Sequence, residues 1–227
     1  MRPDAIVKVG GSLLDGRTLP PLLTALDELA ATHRLVLVPG GGTFADAVRE
    51  ACSLHDPGTS AAHWMAILAM DQHAHLLASL LSKARLATGP AEIDRALAEE
   101  RLAVLAPFRW LEAADPLPHG WHVTSDSIAA WVAARLCAPR LLLLKAVPGL
   151  PGANGEVVPS ARLPAPGLKG IVDEYFEKAI EPGLRCWAVS GHHPRQLEEL
   201  LRDGQGAPGP GRRRPRGPRA GPGRARR

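Results

Sequence analysis

Short, largely apolar runs alternate along the chain with longer segments in which apolar residues recur every three or four positions. The apolar runs predict buried strands at residues 5–9, 35–38, 103–106, 141–144 and 186–189. The helical periodicity predicts helices over residues 19–32, 43–54, 63–85, 125–136, 172–180 and 194–201. We expect residues 147–170, rich in proline and glycine, to be irregular or to form only a short hairpin. Strands that alternate with helices indicate a mostly parallel sheet covered by helices.

Glycine-rich turns follow the first two predicted strands. The first turn is Gly10-Gly11-Ser12, the second is Gly40-Gly41-Gly42, and a helical pattern follows each. Glycine lets the backbone turn through positive φ and brings bare N–H groups close to a ligand. A helix N-terminus behind such a turn adds partial positive charge and unpaired donors, which suit a phosphate. Two such turns therefore indicate two anionic groups held close together, as in phosphoryl transfer from a nucleotide to an acceptor.

The length and composition suit a cytoplasmic globular protein. With 227 residues the chain can bury one large α/β core. It has no apolar run of the roughly 18 residues that a membrane span needs, and no signal-peptide pattern. The spacing of the three cysteines favours reduced thiols over disulfides or a zinc site. We expect no metal-ligand set among the histidines, which include His63, His73, His75, His192 and His193.

The basic charge of the chain is concentrated at its carboxyl end. The net charge is +4, but eight of the 27 basic residues lie in residues 204–227, so the other 19 face 23 acidic residues. We predict one domain over residues 1–203 and a disordered Gly/Pro/Arg tail over 204–227. The tail is either a functional basic arm or the product of a frameshift in GC-rich DNA. Nucleic-acid binding is expected only through this tail.

Three motifs in order resemble the amino acid kinase superfamily, which includes acetylglutamate, aspartate, uridylate and isopentenyl phosphate kinases. They are residues 8–12, residues 39–42, and residues 125–130 with the strand at 141–144. The resemblance implies an α/β fold, a three-layer αβα sandwich with a mostly parallel central sheet (carbamate kinase-like). It also implies ATP and Mg²⁺ as cofactors, a small-molecule phosphate acceptor and a homo-oligomer.

The resemblance assigns the catalytic charges to three residues. Lys8 would stabilise the transferred phosphoryl group, and Asp126 would orient the lysines around it. Many superfamily members have Thr-Asp where this chain has Leu144-Lys145, and the lysine that they carry later is absent from residues 170–174. Lys145 or Lys169 would take over that second cationic role. Taken alone, Asp126 or its neighbour could simply cap a helix.

The same resemblance divides the remaining site residues between nucleotide and acceptor. On the nucleotide side it places the first glycine turn together with Lys145, Val147 and Gly149. On the acceptor side it places the second turn together with Asp71 and Gln72. Asp71 and Gln72 interrupt an apolar helix face, and a buried acid needs a partner. We hypothesise that Asp71 pairs with the ammonium group of the acceptor, the alternative being a solvent-facing acid.

Further segments narrow the expected substrate. Residues 63–72, 144–147 and 190–194 resemble the small aminomethylfuran phosphate kinases of methanofuran biosynthesis in methylotrophs and methanogens. We therefore expect an ATP-dependent kinase that converts (5-(aminomethyl)furan-3-yl)methyl phosphate to its diphosphate. The alternatives are an isopentenyl phosphate or amino acid kinase, a non-catalytic nucleotide- or oxyanion-binding protein of the same fold, and a nucleic-acid binder that uses the tail.

Overall fold

The computed structural model describes residues 1–152, 154, 156–168 and 170–202. Strands β1–β9 occupy Ala5–Val9, Leu35–Pro39, Ala84–Ala87, Leu102–Leu105, Arg140–Lys145, Leu150–Pro151, Val157–Val158, Ser160–Leu163 and Arg185–Ser190. Helices α1–α8 occupy Leu19–Leu29, Gly42–His55, Thr59–Leu80, Pro90–Ala98, Phe108–Ala114, Ser125–Arg135, Phe176–Ala179 and Gln196–Arg202. Single-turn 3₁₀ helices cover Gly11–Leu13 and Pro166–Leu168. The predicted tail lies outside the described residues, so the division at residue 203 stays a prediction.

In the part of the chain that the structure describes, seven strands form one sheet in the order β3-β4-β2-β1-β5-β9-β8. Neighbouring strands run parallel except β8, which pairs antiparallel with β9. Strands β6 and β7 form a separate antiparallel hairpin. The strand order turns back at β1, which lies between β2 and β5. In open α/β sheets ligands bind beyond the carboxyl ends of the strands at such a switch point.

Apolar cores lie on both faces of the sheet. In β1, Val7 belongs to the core beneath α1 and α8, whereas Ile6 belongs to the core beneath α4 and α6. This alternation follows from the period of two along a strand, and it explains why strands covered on both faces are so uniformly apolar. The predicted three-layer αβα sandwich with a mostly parallel sheet is therefore confirmed.

The predicted helix over residues 63–85 is wrong at both ends. It begins earlier, at Thr59, and stops at Leu80, because the chain becomes extended at Leu81. The Asp27 carboxylate then accepts hydrogen bonds from the N–H groups of Ser82 and Lys83, at 3.0 and 3.2 Å. This tertiary contact turns the chain into β3, so residues 84–85 lie in a strand. Propensity within the segment could not reveal that contact.

The other differences are smaller. The predicted helix over 172–180 shortens to α7, and α4 and α5 fall in segments for which the pattern predicts no helix. The predicted hairpin at residues 147–170 is confirmed as β6–β7, and the same segment adds β8. Helix α6 is capped by Thr124, whose Oγ1 accepts from the N–H of Asp126 at 3.5 Å, rather than by Ser125 or Asp126. No helix in the described ranges is both long and apolar enough to cross a membrane.

Candidate active site

The two glycine turns contact each other where β1 and β2 end. The N–H of Gly40 donates to the carbonyl of Val9 at 2.8 Å. A Cβ on Gly11 would lie 2.1 Å from the nitrogen of Gly42, and one on Gly40 would lie 2.8 Å from the nitrogen of Gly11. Gly42 also has a φ of +55°, in the left-handed region. Larger residues would force the turns apart, so the glycines bring two sets of backbone N–H groups together.

Lys8 and Lys145 lie on neighbouring parallel strands and face the same helix. Lys8 shares its face of β1 with Ile6, and Lys145 shares its face of β5 with Leu143, since alternate residues point the same way. Ile6 and Leu143 belong to the core beneath α6. The strand pattern therefore directs both ammonium groups towards the helix that carries Asp126.

Asp126 joins the two lysines in a buried ionic cluster. Its Oδ1 lies 2.9 Å from Lys8 Nζ, and its Oδ2 lies 2.7 Å from Lys145 Nζ. The side chains of Lys8 and Asp126 are 7% and 5% exposed, and that of Lys145 is 13% exposed. The three residues that the sequence places in the catalytic role thus lie together, with one net positive charge at the carboxyl edge of the sheet. Lys169 lies outside the described residues.

Burial and charge act in opposite directions on this cluster. Burial alone would raise the pKa of Asp126, but the charges and hydrogen bonds of Lys8 and Lys145 hold it below its ordinary value of 3.8. Burial, reinforced by the charge of Lys8 and opposed by Asp126, lowers the pKa of Lys145 to about 8. Asp126 is therefore a carboxylate at neutral pH, and Lys145 is a cation that begins to lose its charge at mildly alkaline pH.

Asp173 fastens the start of α6. Its carboxylate accepts from Thr124 N–H at 3.0 Å, from Thr124 Oγ1 at 2.8 Å and from Ser127 N–H at 3.0 Å. It also accepts from the Ser127 hydroxyl and from Tyr175 N–H. These bonds fix the turn of helix that presents Asp126. Sequence reasoning missed this role because the partners are 46 and 49 residues away.

A cavity of about 490 Å³ opens beside the glycine turns, between α2, α3 and the start of α6. Its polar lining includes Thr43, Asp46, Arg49, His63 and Thr124, together with Ser125, the neighbour of Asp126. Its apolar lining comes from Ala45, Ala66, Ile67, Met70, Trp121, Val123 and Ile128. Of the predicted site residues, Gly11, Ser12, Gly40, Gly41 and Gly42 line this cavity. The arrangement offers backbone donors at one end and apolar walls around a small ligand.

The remaining predicted binding residues lie elsewhere. The Asp71 carboxylate accepts from Phe108 N–H at 3.0 Å, and neither Asp71 nor Gln72 lines the cavity. Burial raises the pKa of Asp71, although the Phe108 hydrogen bond opposes that shift. The carbonyl of Val147 accepts from Ser190 Oγ at 2.5 Å, and Gly149 lies against Val157, both outside the cavity lining. The geometry therefore does not bring these four residues to the cavity.

Two histidines serve the site in ways that their spacing does not suggest. The fully buried His73 donates from Nδ1 to the carbonyl of Gly40 at 2.5 Å and so holds the second glycine turn. Burial lowers its pKa, opposed by that hydrogen bond, so the ring is neutral at pH 7. His63 lines the cavity and stacks on His119, with ring centroids 4.5 Å apart.

Among the described residues no group of three His, Cys, Asp or Glu side chains is arranged to hold a metal ion.

Known proteins resemble this chain in sequence and in fold. Residues 5–165 match the amino acid kinase family. The chain is 29% identical over 206 residues to a (5-(aminomethyl)furan-3-yl)methyl phosphate kinase of Methanocaldococcus jannaschii, covering 86% of this chain and 92% of that protein. Its fold resembles uridylate kinase of Archaeoglobus fulgidus (TM-score 0.65, 18% identity, 89% and 96% covered). It also resembles UMP kinase of Ureaplasma parvum (TM-score 0.50, 15% identity, 69% and 74% covered).

These matches and the site agree on the class of protein. The family match and the kinase relative indicate a phosphotransferase of the small-molecule kinase type, and the parallel sheet of this chain ends in paired glycine turns and a lysine–aspartate–lysine cluster. The chain belongs to the amino acid kinase family.

Proposed function

We propose that this kinase transfers the γ-phosphoryl group of ATP to a small phosphate monoester. The acceptor we propose is (5-(aminomethyl)furan-3-yl)methyl phosphate, with its diphosphate as product. The observation that carries the proposal is the buried Lys8–Asp126–Lys145 cluster beside two glycine turns in contact. The choice of acceptor is supported by the relative from M. jannaschii, which has that name.

Each part of the site has a function in such a transfer. Phosphoryl transfer needs alignment and charge neutralisation rather than covalent help from the protein. The N–H groups of Gly11 and Ser12 would hold the nucleotide phosphates, whereas the N–H of the predicted residue Gly10 already donates to the carbonyl of Leu144 at 3.1 Å. Mg²⁺ would arrive with ATP, bound mostly through phosphate oxygens. The second turn would hold the phosphate of the acceptor. The facing turns would then place donor and acceptor phosphates next to each other.

The lysines would stabilise the charge that develops during the transfer. An oxygen of the acceptor phosphate attacks the γ-phosphorus, a new P–O bond forms, and the bond to the β-phosphate oxygen breaks, so that ADP leaves. Ammonium groups fixed in a buried site stabilise this charge without reorganisation. Asp126, an ionised acid bonded to both lysines, would fix their positions and need not act as a base.

The test is a panel of acceptors offered to the purified chain with Mg-ATP, with ADP release as the readout. The panel contains the aminomethylfuran phosphate, isopentenyl phosphate, UMP, acetylglutamate and aspartate. We expect the furan phosphate to give the highest kcat/KM. A higher kcat/KM for another member would identify that compound as the acceptor instead. ATP binding without turnover of any member would favour a non-catalytic binding protein.

We also propose that the enzyme is a cytoplasmic homo-oligomer. The three cysteines in the described residues are free thiols, and burial raises the pKa of Cys186 to about 12, which leaves that thiol unreactive. Large apolar side chains are exposed on the helices, among them Leu68 and Leu80 of α3. Light scattering on the purified protein tests the oligomer, and the mass of a single chain would contradict it.

A further inference from the structure

Asp46 is the single carboxylate among the described residues that line the cavity. It lies on α2, which begins at Gly42 within the second glycine turn. The side chain is 68% exposed, and its Oδ1 accepts a hydrogen bond from Arg49 Nη1 at 2.7 Å. The cavity therefore combines an anion-binding turn with a negatively charged side chain on the same helix.

The spacing between these two features suits a small ligand with opposite charges at its ends. Gly42 and Asp46 are four residues apart on α2, which corresponds to a rise of about 6 Å along the helix axis. A phosphate at the turn and an ammonium group near Asp46 would thus be separated by about one helical turn. A five-membered ring that carries the phosphate on one short substituent and the ammonium group on another separates the two charges by a similar distance.

The walls between the two charged positions suit a flat ring. Trp121 and His63 line the cavity together with Ile67 and Met70. The Arg49 guanidinium lies 5.0 Å from the centre of the Trp121 ring, which places the Asp46–Arg49 pair at the edge of this wall. Aromatic and apolar side chains of this kind bury the body of a small ligand while polar groups fix its orientation.

The ion pair with Arg49 does not prevent Asp46 from binding a ligand. Both side chains are more than half exposed, and such a pair contributes about 0–1 kcal/mol. Exchanging the guanidinium for the ammonium of a ligand therefore costs little. Asp71, by contrast, already accepts the Phe108 N–H and lies outside the cavity lining.

We propose that Asp46 binds the ammonium group of the acceptor. The enzyme would therefore prefer phosphate monoesters that carry a primary amine over those that lack one. This assignment rests on the proposed function and replaces the hypothesis that Asp71 has this role. The ligand class is a phosphate monoester that carries a primary ammonium group on a small flat ring.

The experiment compares two acceptors with three forms of the full chain. The acceptors are the aminomethylfuran phosphate and the analogue in which a methyl group replaces the aminomethyl group. The forms are wild type, Asp46→Asn and Glu50→Gln, the last making the same carboxylate-to-amide change on the exposed part of α2 outside the cavity lining. We expect Asp46→Asn to raise KM for the aminated acceptor about threefold, equivalent to about 0.7 kcal/mol. KM for ATP and for the methyl analogue should not change.

The outcomes separate the two proposals. A wild-type preference for the amine that disappears in Asp46→Asn and persists in Glu50→Gln supports the subsite. An unchanged preference in Asp46→Asn overturns the subsite and leaves the kinase function intact. A wild-type enzyme that phosphorylates neither furan overturns both the acceptor and the subsite.

Discussion

Replacing Asp126 by asparagine should destabilise the protein strongly at neutral pH and remove its activity. In the wild type the ammonium groups of Lys8 and Lys145 lie 2.9 and 2.7 Å from the Asp126 carboxylate. The variant leaves these two buried ammonium groups next to each other with no carboxylate between them. Removing one partner of a buried ion pair costs about 3–5 kcal/mol. Since domains of this kind are stable by about 5–15 kcal/mol, we expect a folded variant with a much reduced free energy of unfolding.

The pKa of Asp126 determines the pH at which this loss is seen. Its folded-state pKa is lowered below 3.8, so the carboxylate contributes stability above pH 3.8 that is lost as the pH falls through the folded value. The difference in unfolding free energy between wild type and Asp126→Asn should be full at pH 7 and should narrow below about pH 4. Urea denaturation followed by circular dichroism at several pH values measures this difference.

A double variant distinguishes lost charge balance from a general disturbance of the site. Asp126→Asn combined with Lys145→Met removes one uncompensated cation, and coupled neighbours deviate from additivity by about 0.5–3 kcal/mol. We expect the double variant to be more stable than Asp126→Asn alone. The exposed Glu50→Gln serves as the control for the carboxylate-to-amide change. A loss below about 1 kcal/mol for Asp126→Asn, or a double variant whose losses simply add, would show that Asp126 does not balance the charge of the two lysines.

Three further predictions address the cluster, the turns and the positioning of α6. Because the pKa of Lys145 is about 8, kcat/KM, which reports the free enzyme, should fall as the pH rises through about 8, and a flat profile to pH 9.5 would contradict this. Gly11→Ala should raise KM for both substrates, since its Cβ would meet the Gly42 nitrogen, whereas Gly16→Ala, with nothing within 4 Å, should behave as wild type. Asp173→Asn should lose about 1–3 kcal/mol of unfolding free energy and lower kcat; equal stability of wild type and variant would count against its anchoring role.

Much of the sheet could be predicted from the sequence because its strands carry a strong local signal. The apolar run of β1 and the glycines behind it indicate both a buried parallel strand and a close approach of backbones, and the contact between Gly11 and Gly42 confirms that reading. Strand β3 could not be found in this way. Its start depends on the Asp27 carboxylate, 55 residues before Ser82.

The resemblance to the amino acid kinases assigned Lys8, Asp126 and Lys145 to one site, and the ends of the strands explain why the two lysines meet there. The ends of β1 and β5 are neighbours in a parallel sheet, so Lys8 and Lys145 had to lie close together. The sequence suggested Asp71 as the ligand of the ammonium group and gave no sign that it is already engaged, because only the packing of α5 places Phe108 N–H beside Asp71. The anchoring role of Asp173 likewise depends on contacts between distant segments.

The most direct test of the central claim is the transfer of labelled phosphate from γ-³²P-ATP by the full chain. Wild type and Lys83→Met, which changes a lysine outside the cluster, should form labelled furan diphosphate in an amount equal to ADP. Lys8→Met should bind ATP and form none of this product. Label released only as inorganic phosphate, or transfer by Lys8→Met at the wild-type rate, would contradict the proposed reaction.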